Sequence, residues 1–169
     1  EQESKKIKEY NPQKDFIIET PQLVEETIYI KNPENKSNLI TKIKQYQKGK
    51  FLGKGGFAKC YEIKCCDTNN FYAAKVFEKK ALSNIRSKKK LISEIKLHKK
   101  LSHENIVNFK HFFEDRENVY ILLELCTNQT LNELLKRRKR LTDIETQFYC
   151  RQIIKAIMYL HDKKIIHRD

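Results

Sequence analysis

The chain has 169 residues, 39% hydrophobic and 34% charged, which is enough apolar mass for one packed domain or for part of a larger one. Mean hydropathy is −0.73 and no apolar run approaches the roughly 18 residues a membrane helix needs, so no membrane partner is expected. The net charge of +13 invites a nucleic-acid reading, but residues 1–45 balance eight lysines against eight acidic side chains, and the whole excess lies downstream.

Residues 1–45 hold all three prolines, Pro12, Pro21 and Pro33, among many Lys, Glu, Asn and Gln residues. Their only concentrated apolar patch is Ile28-Tyr29-Ile30, too little for a core, so a disordered or loosely attached extension is expected. Dense apolar patterning begins at Tyr46, which puts a domain boundary near residue 45 and a domain over 46–169. The first residue is Glu1 rather than Met, and the chain reads as a fragment. The five cysteines, at 60, 65, 66, 126 and 150, are odd in number and form no CxxC pair. They read as reduced thiols of a cytosolic or nuclear protein.

All four glycines fall between positions 49 and 56, in a stretch that ends Leu52-Gly53-Lys54-Gly55-Gly56-Phe57-Ala58-Lys59-Cys60. Glycine weakens strands but permits positive φ and lets a ligand approach the backbone, and converging amides bind phosphate. A Walker loop is excluded, because Gly53-Lys54 is followed by Gly55 rather than Ser or Thr. A dinucleotide fingerprint must open a helix, whereas Tyr61–Cys65 alternates with the period of a strand. The stretch alone is equally compatible with a tight hairpin turn.

The next strand, Phe71–Phe77, is apolar on both sides of Lys75, a placement that suits pairing with phosphates. Between Lys88 and Leu101 the pattern is helical, and Glu94 shares a stripe with Leu91, Ile95 and His98. An inward carboxylate needs a cation, and Lys75 is the natural partner. As a buried pair, the two would cost roughly 3–5 kcal/mol if one were lost. Strands follow near Asn108–Glu114 and Val119–Leu123, then a short helix over Leu131–Arg138. Thr142 with Glu145 forms a capping box that opens a longer helix, whose apolar face is Phe148, Cys150, Ile153, Ile154, Ile157 and Leu160. The basic runs Lys88–Lys90 and Lys136–Arg140 read as solvated helix ends, so nucleic acid is not an expected partner. A basic face also suits the steering of an acidic protein substrate.

The chain stops at His167-Arg168-Asp169 after an apolar pair. Taken in order, the glycine loop, the Ala-x-Lys strand, the helix glutamate, the five-strand pattern and this tripeptide resemble a protein kinase over residues 46–169. Within that family the chain looks like a polo-like kinase: Leu52–Glu62 carries Ala58 where most kinases have a third glycine and Cys60 in place of the usual valine. Phe112–Asp115, Leu123–Cys126 and Leu134–Thr142 add to the match. The resemblance implies an α+β fold fragment: a five-stranded antiparallel sheet with a helix, followed by the first two helices of the helical lobe.

It also implies roles. The amides of Gly53, Lys54, Gly55, Gly56, Phe57 and Ala58, with Lys59, would cover the phosphates of ATP. Lys75 would hold the α- and β-phosphates, positioned by Glu94. Adenine would lie among Leu52, Cys60 and Ala73, with Leu123 behind it and Glu124 and Cys126 bonding to it through their backbones. Asp169 would accept the proton of the substrate hydroxyl, and His98, Phe109 and His167 would belong to an internal column. The magnesium ligands of the family lie past Asp169, so no metal residues are assigned and the chain as given is expected to be inactive and to aggregate. Polo-like kinases phosphorylate Ser and Thr on proteins, often near acidic residues, in cytoplasm and nucleus and at centrosomes, basal bodies or spindles. The rival readings are a non-catalytic kinase-like module that binds ATP or acts as a scaffold, and a nucleic-acid-binding domain.

Overall fold

The computed structural model describes residues 10–16, 22–31 and 39–168. After one helical turn, α1 (Pro12–Asp15), come β1 (Leu23–Lys31), β2 (Leu39–Lys54), β3 (Lys59–Cys65) and β4 (Phe71–Glu78). A 3-10 turn (Lys79–Leu82) leads to α2 (Ile85–His98), β5 (Phe109–Glu114), β6 (Asn118–Leu123), α3 (Leu131–Arg138) and α4 (Asp143–Asp162). The strands form a single antiparallel sheet in the order β1-β2-β3-β4-β6-β5.

The class is α+β, but the sheet has six strands rather than five. The added strand, β1, falls in the stretch expected to be a loose extension, and pairs in register from Leu23↔Gln47 to Lys31↔Leu39. Correspondingly, β2 starts at Leu39, so a boundary at residue 45 would cut it mid-strand. The physical reason is that β1 buries Val24 in the aromatic core and supplies Glu26 as acceptor to the Tyr46 hydroxyl. Val24 and Glu26 of β1 are buried. The inward alternation of this strand was masked because one of its inward positions is a glutamate. Residues 1–9, 17–21 and 32–38 of the same stretch lie outside the described residues.

Strand side chains alternate, so the sheet has two faces with separate cores. On the first, Tyr46, Ile63, Ala74, Phe113, Tyr120 and Leu122 cluster with Val24. The rings of Tyr46 and Phe113 stack at 4.9 Å, and those of Phe113 and Tyr120 at 4.8 Å. Glu26 on one edge strand meets His111 on the other, with 2.6 Å between Oε1 and Nε2, so side chains of the two edge strands join across this face. The Tyr46 hydroxyl donates to the second oxygen of Glu26 at 2.9 Å.

The second face receives α2. Leu91 packs with Ala58, Phe77, Leu82 and Ile121, flanked by Ile95, Phe109, Val119 and Leu123. Fully burying one such leucine is worth about 1.5–3 kcal/mol. The helix begins three residues before the expected Lys88, because the Asn84 side chain accepts from the Ser87 N–H at 2.7 Å and caps it there.

Capping boxes also open α3 (Thr130 with Glu133) and α4 (Thr142 with Glu145). The run Lys136–Arg138 occupies the last turn of α3, where cations favour the helix dipole, and Arg138 pairs with Glu145 at 2.5 Å. Of the apolar face expected on α4, Leu160 is buried while Phe148, Cys150, Ile153, Ile154 and Ile157 remain exposed. All five cysteines are free, and no helix among the described residues is long and apolar enough to cross a membrane.

Candidate active site

The loop between β2 and β3 is a tight turn closed by a 2.8 Å bond from the Gly55 N–H to the Ala58 carbonyl. None of the glycines has positive φ. A Cβ placed on Gly53 or Gly56 would meet nothing within 4 Å, and one on Gly55 only the Ala58 carbonyl at 3.8 Å. Neither backbone conformation nor internal packing demands glycine at these three positions. Close approach of something outside the chain remains as the physical reason, and a phosphate group is one ligand that needs such access to the backbone.

Gly49 is different, because a Cβ there would lie 2.3 Å from the Phe16 ring. Its absence serves the N-terminal segment and not the loop.

Around the turn, Phe57 stands 72% exposed at the tip, while the Ala58 methyl is buried in the α2 cluster and ties the loop down. Cys60 pairs with Lys75 and Ala73 with Leu123 across the sheet, which places all four on the face that carries α2. Lys59, adjacent to Cys60, points to the opposite face and pairs with Glu78 at 2.9 Å, so its side chain does not join the others. Burial pushes the Cys60 thiol upward against the opposing pull of Lys75, and burial with Glu124 does the same for Cys126. Both are therefore neutral, weakly polar lining groups.

Lys75 Nζ lies 2.5 Å from Glu94 Oε1, as expected, but the pair is not buried: the side chains are 32% and 44% exposed. The reason is that Glu94 faces an open groove between α2 and the segment ending at Arg168, and does not lie under the sheet. Glu124 is anchored on both sides of its peptide. Its N–H donates to the Asn108 carbonyl at 2.9 Å and its carboxylate accepts from the Asn108 N–H at 3.1 Å. That leaves its carbonyl as the atom that can serve a base.

His98 bonds the Val107 carbonyl through Nε2 at 2.8 Å and lies 5.9 Å from the Phe109 ring. It shares a groove with His167 between α2 and α4, consistent with a packing role. Asp169 lies outside the described residues. Among the described residues no group of three or more His, Cys, Asp or Glu side chains is placed to hold a metal ion.

One polar residue beside this face was missed. Glu62, two positions from Cys60 and paired with Ala73, is fully buried and accepts from the Tyr10 hydroxyl at 2.5 Å. The signal was present, because the alternation in Tyr61–Cys65 puts Glu62 on the side of Cys60.

Residues 46–169 match the protein kinase domain family. The chain belongs to the protein kinase family. It is 53% identical over 146 residues to a probable serine/threonine-protein kinase, CCRP1, of Zea mays, covering 86% of this chain and 23% of that one. It is 49% identical over 158 residues to a probable serine/threonine-protein kinase, PLK, of Dictyostelium discoideum, covering 94% of this chain and 15% of that one. It is 48% identical over 130 residues to the serine/threonine-protein kinase polo of Drosophila melanogaster, covering 77% of this chain and 23% of that one. Among protein kinases its resemblance is thus to the polo-like group. The chain spans less than a quarter of the length of these relatives.

Proposed function

We propose that the protein carrying this kinase domain transfers phosphate from ATP to Ser or Thr hydroxyls of protein substrates, as a polo-like cell-cycle kinase. The observation that carries the reading is the Lys75–Glu94 pair, set on the same face as Cys60 and Ala73 beside a glycine turn whose glycines have no internal cause. The amides of Gly53–Ala58 cover the phosphates, and Lys75, held by Glu94, pairs with the α- and β-phosphates. Leu52, Cys60, Ala73 and Leu123 enclose adenine, which bonds to the Glu124 carbonyl and the Cys126 N–H. Asp169 orients the substrate hydroxyl and takes its proton as the oxygen bonds to the γ-phosphorus and the bond to the bridging oxygen breaks. Magnesium would supply neutralisation of the phosphate charge, and no described residue is assigned to hold it. The basic excess of residues 46–169 favours substrates with acidic residues near the target hydroxyl, and action in cytoplasm and nucleus, at centrosomes, basal bodies or spindles, belongs to the same reading.

Catalysis of this kind is mostly positioning and electrostatics, so Lys75→Met in the full-length protein removes a cation and leaves the fold. Phosphorylation of casein is expected to fall about 100-fold or more at unchanged thermal stability. Undiminished transfer would overturn the catalytic reading. ATP binding by the wild type without transfer would assign the domain to non-catalytic binding instead.

A further inference from the structure

Residues 10–16 lie against the sheet, and they touch it at four points. The Tyr10 hydroxyl bonds Glu62, the Lys50 ammonium lies 3.2 Å from the centroid of the Tyr10 ring, and the Phe16 ring covers Gly49 and meets the Phe71 ring edge-on at 5.3 Å. Asn11 caps the turn between these anchors by accepting from the Gln13 N–H at 3.0 Å. Three of the four contacted residues stand two positions from a residue of the candidate adenine site on the same strand: Lys50 before Leu52, Glu62 after Cys60, Phe71 before Ala73. Two residues along a regular strand are about 7 Å and return to the same face, as Glu62 does with Cys60 and Phe71 with Ala73, whereas β2 is irregular between Lys48 and Gly53. We propose that residues 10–16 form a strap on the nucleotide face of the sheet, and that Tyr10 builds the outer wall of the nucleoside site. This rests on the ATP-binding reading of that site.

Two physical arguments support a part in binding as well as in folding. Glu62 is fully buried, and a carboxylate in that position is costly without a donor, which the strap supplies. Burial raises its pKa, opposed by the Tyr10 bond and the Lys50 charge. Without the strap, a bare carboxylate would also stand two residues from Cys60, inside the roughly 8–10 Å over which charges act at ordinary salt, and would repel a polyanionic nucleotide. Tyr10 covers that charge with its hydroxyl and ring.

The test uses the full-length protein with ATP as the probe, measured by calorimetry, and hydrogen exchange at residues 10–16. The wild type is expected to protect the amides of Asn11 and of residues 13–16 and to bind ATP. Tyr10→Ala is expected to lose the protection and to raise the dissociation constant about three- to tenfold. Phe16→Ala leaves the donor to Glu62 in place and serves if Tyr10→Ala unfolds the sheet; it is expected to shift both readouts in the same direction. Protection lost with affinity unchanged within twofold would overturn the proposal and leave the ATP site standing. Unprotected amides in the wild type would overturn the strap itself. A wild type that binds no ATP would overturn this proposal together with the reading beneath it.

Discussion

Replacing Glu94 by alanine separates the two roles an ion pair can play. Lys75 and Glu94 lie 2.5 Å apart with a third to nearly half of each side chain open to water. A pair so exposed contributes only about 0.2–1 kcal/mol to stability, against the roughly 3–5 kcal/mol lost when a buried pair is broken. The Lys75 ammonium also keeps its place 5.3 Å from the Phe77 ring, so the variant leaves no stranded buried charge. Scanning fluorimetry of full-length Glu94→Ala should therefore show Tm lower by at most about 4 °C. What the variant loses is the direction of Lys75, and a misplacement of about 1 Å in such a group costs on the order of 100-fold in rate. Casein phosphorylation should fall by that factor in kcat/KM with the protein still folded. A large loss of Tm alongside the activity, or activity within threefold of wild type, would show that the pair is a structural brace or that Lys75 does not need it.

Glu26→Ala removes the acceptor of the Tyr46 hydroxyl and the contact that joins the two sheet edges. Tyr46 is fully buried, so the orphaned hydroxyl should cost about 1–3 kcal/mol in urea unfolding, and a change below about 0.5 kcal/mol would refute the clasp. Glu145 is held down to about 2 by the Thr142 N–H first and then by Arg138. A carboxylate depressed in the folded state stabilises above its unfolded pKa of 4.5 and ceases to do so as pH falls toward 2. Glu145→Gln should thus be less stable than wild type at pH 7, with the gap closing as pH falls from about 4.5 toward 2; a gap independent of pH would show that charge is not involved.

Legibility followed the reach of each signal. The period-2 pattern around Lys75 and the period-3.6 pattern around Leu91 act within one element, and β4 and α2 formed where those patterns lie. Thr142 and Glu145 marked the start of α4 because a capping box is satisfied locally. The strand β1 was not legible, since its evidence is a contact between residues 85 apart, Glu26 with His111, and an inward glutamate looks polar until its partners are known. The exposure of Lys75 and Glu94 was equally hidden: sequence gives the sign of a pair, but solvent access depends on which groove the helix borders. Gly49 shows the converse error, for it stands among loop glycines and answers to Phe16.

The alternation in β4 explains how one short strand serves both stability and the site. Ala74, buried, and Val76, partly buried, face the aromatic core with Tyr120 and Leu122, where packing against neighbours fixes the strand in place. Ala73 and Lys75 face the other way, toward Cys60, Leu123 and Glu94, in a half-open site that gains little from packing. An antiparallel strand with one packed face can carry a polar side chain on its more open face. Here the first face supplies the burial that offsets the cost of presenting Lys75 centrally, and the register with β3 and β6 sets its height against the turn at Gly55. A one-residue slip would exchange the two faces, burying Lys75 among Tyr46 and Phe113 and exposing Ala74. The clasp between the sheet edges and the stack of Tyr46, Phe113 and Tyr120 resist that slip, so the far face of the sheet guards the geometry of the near one.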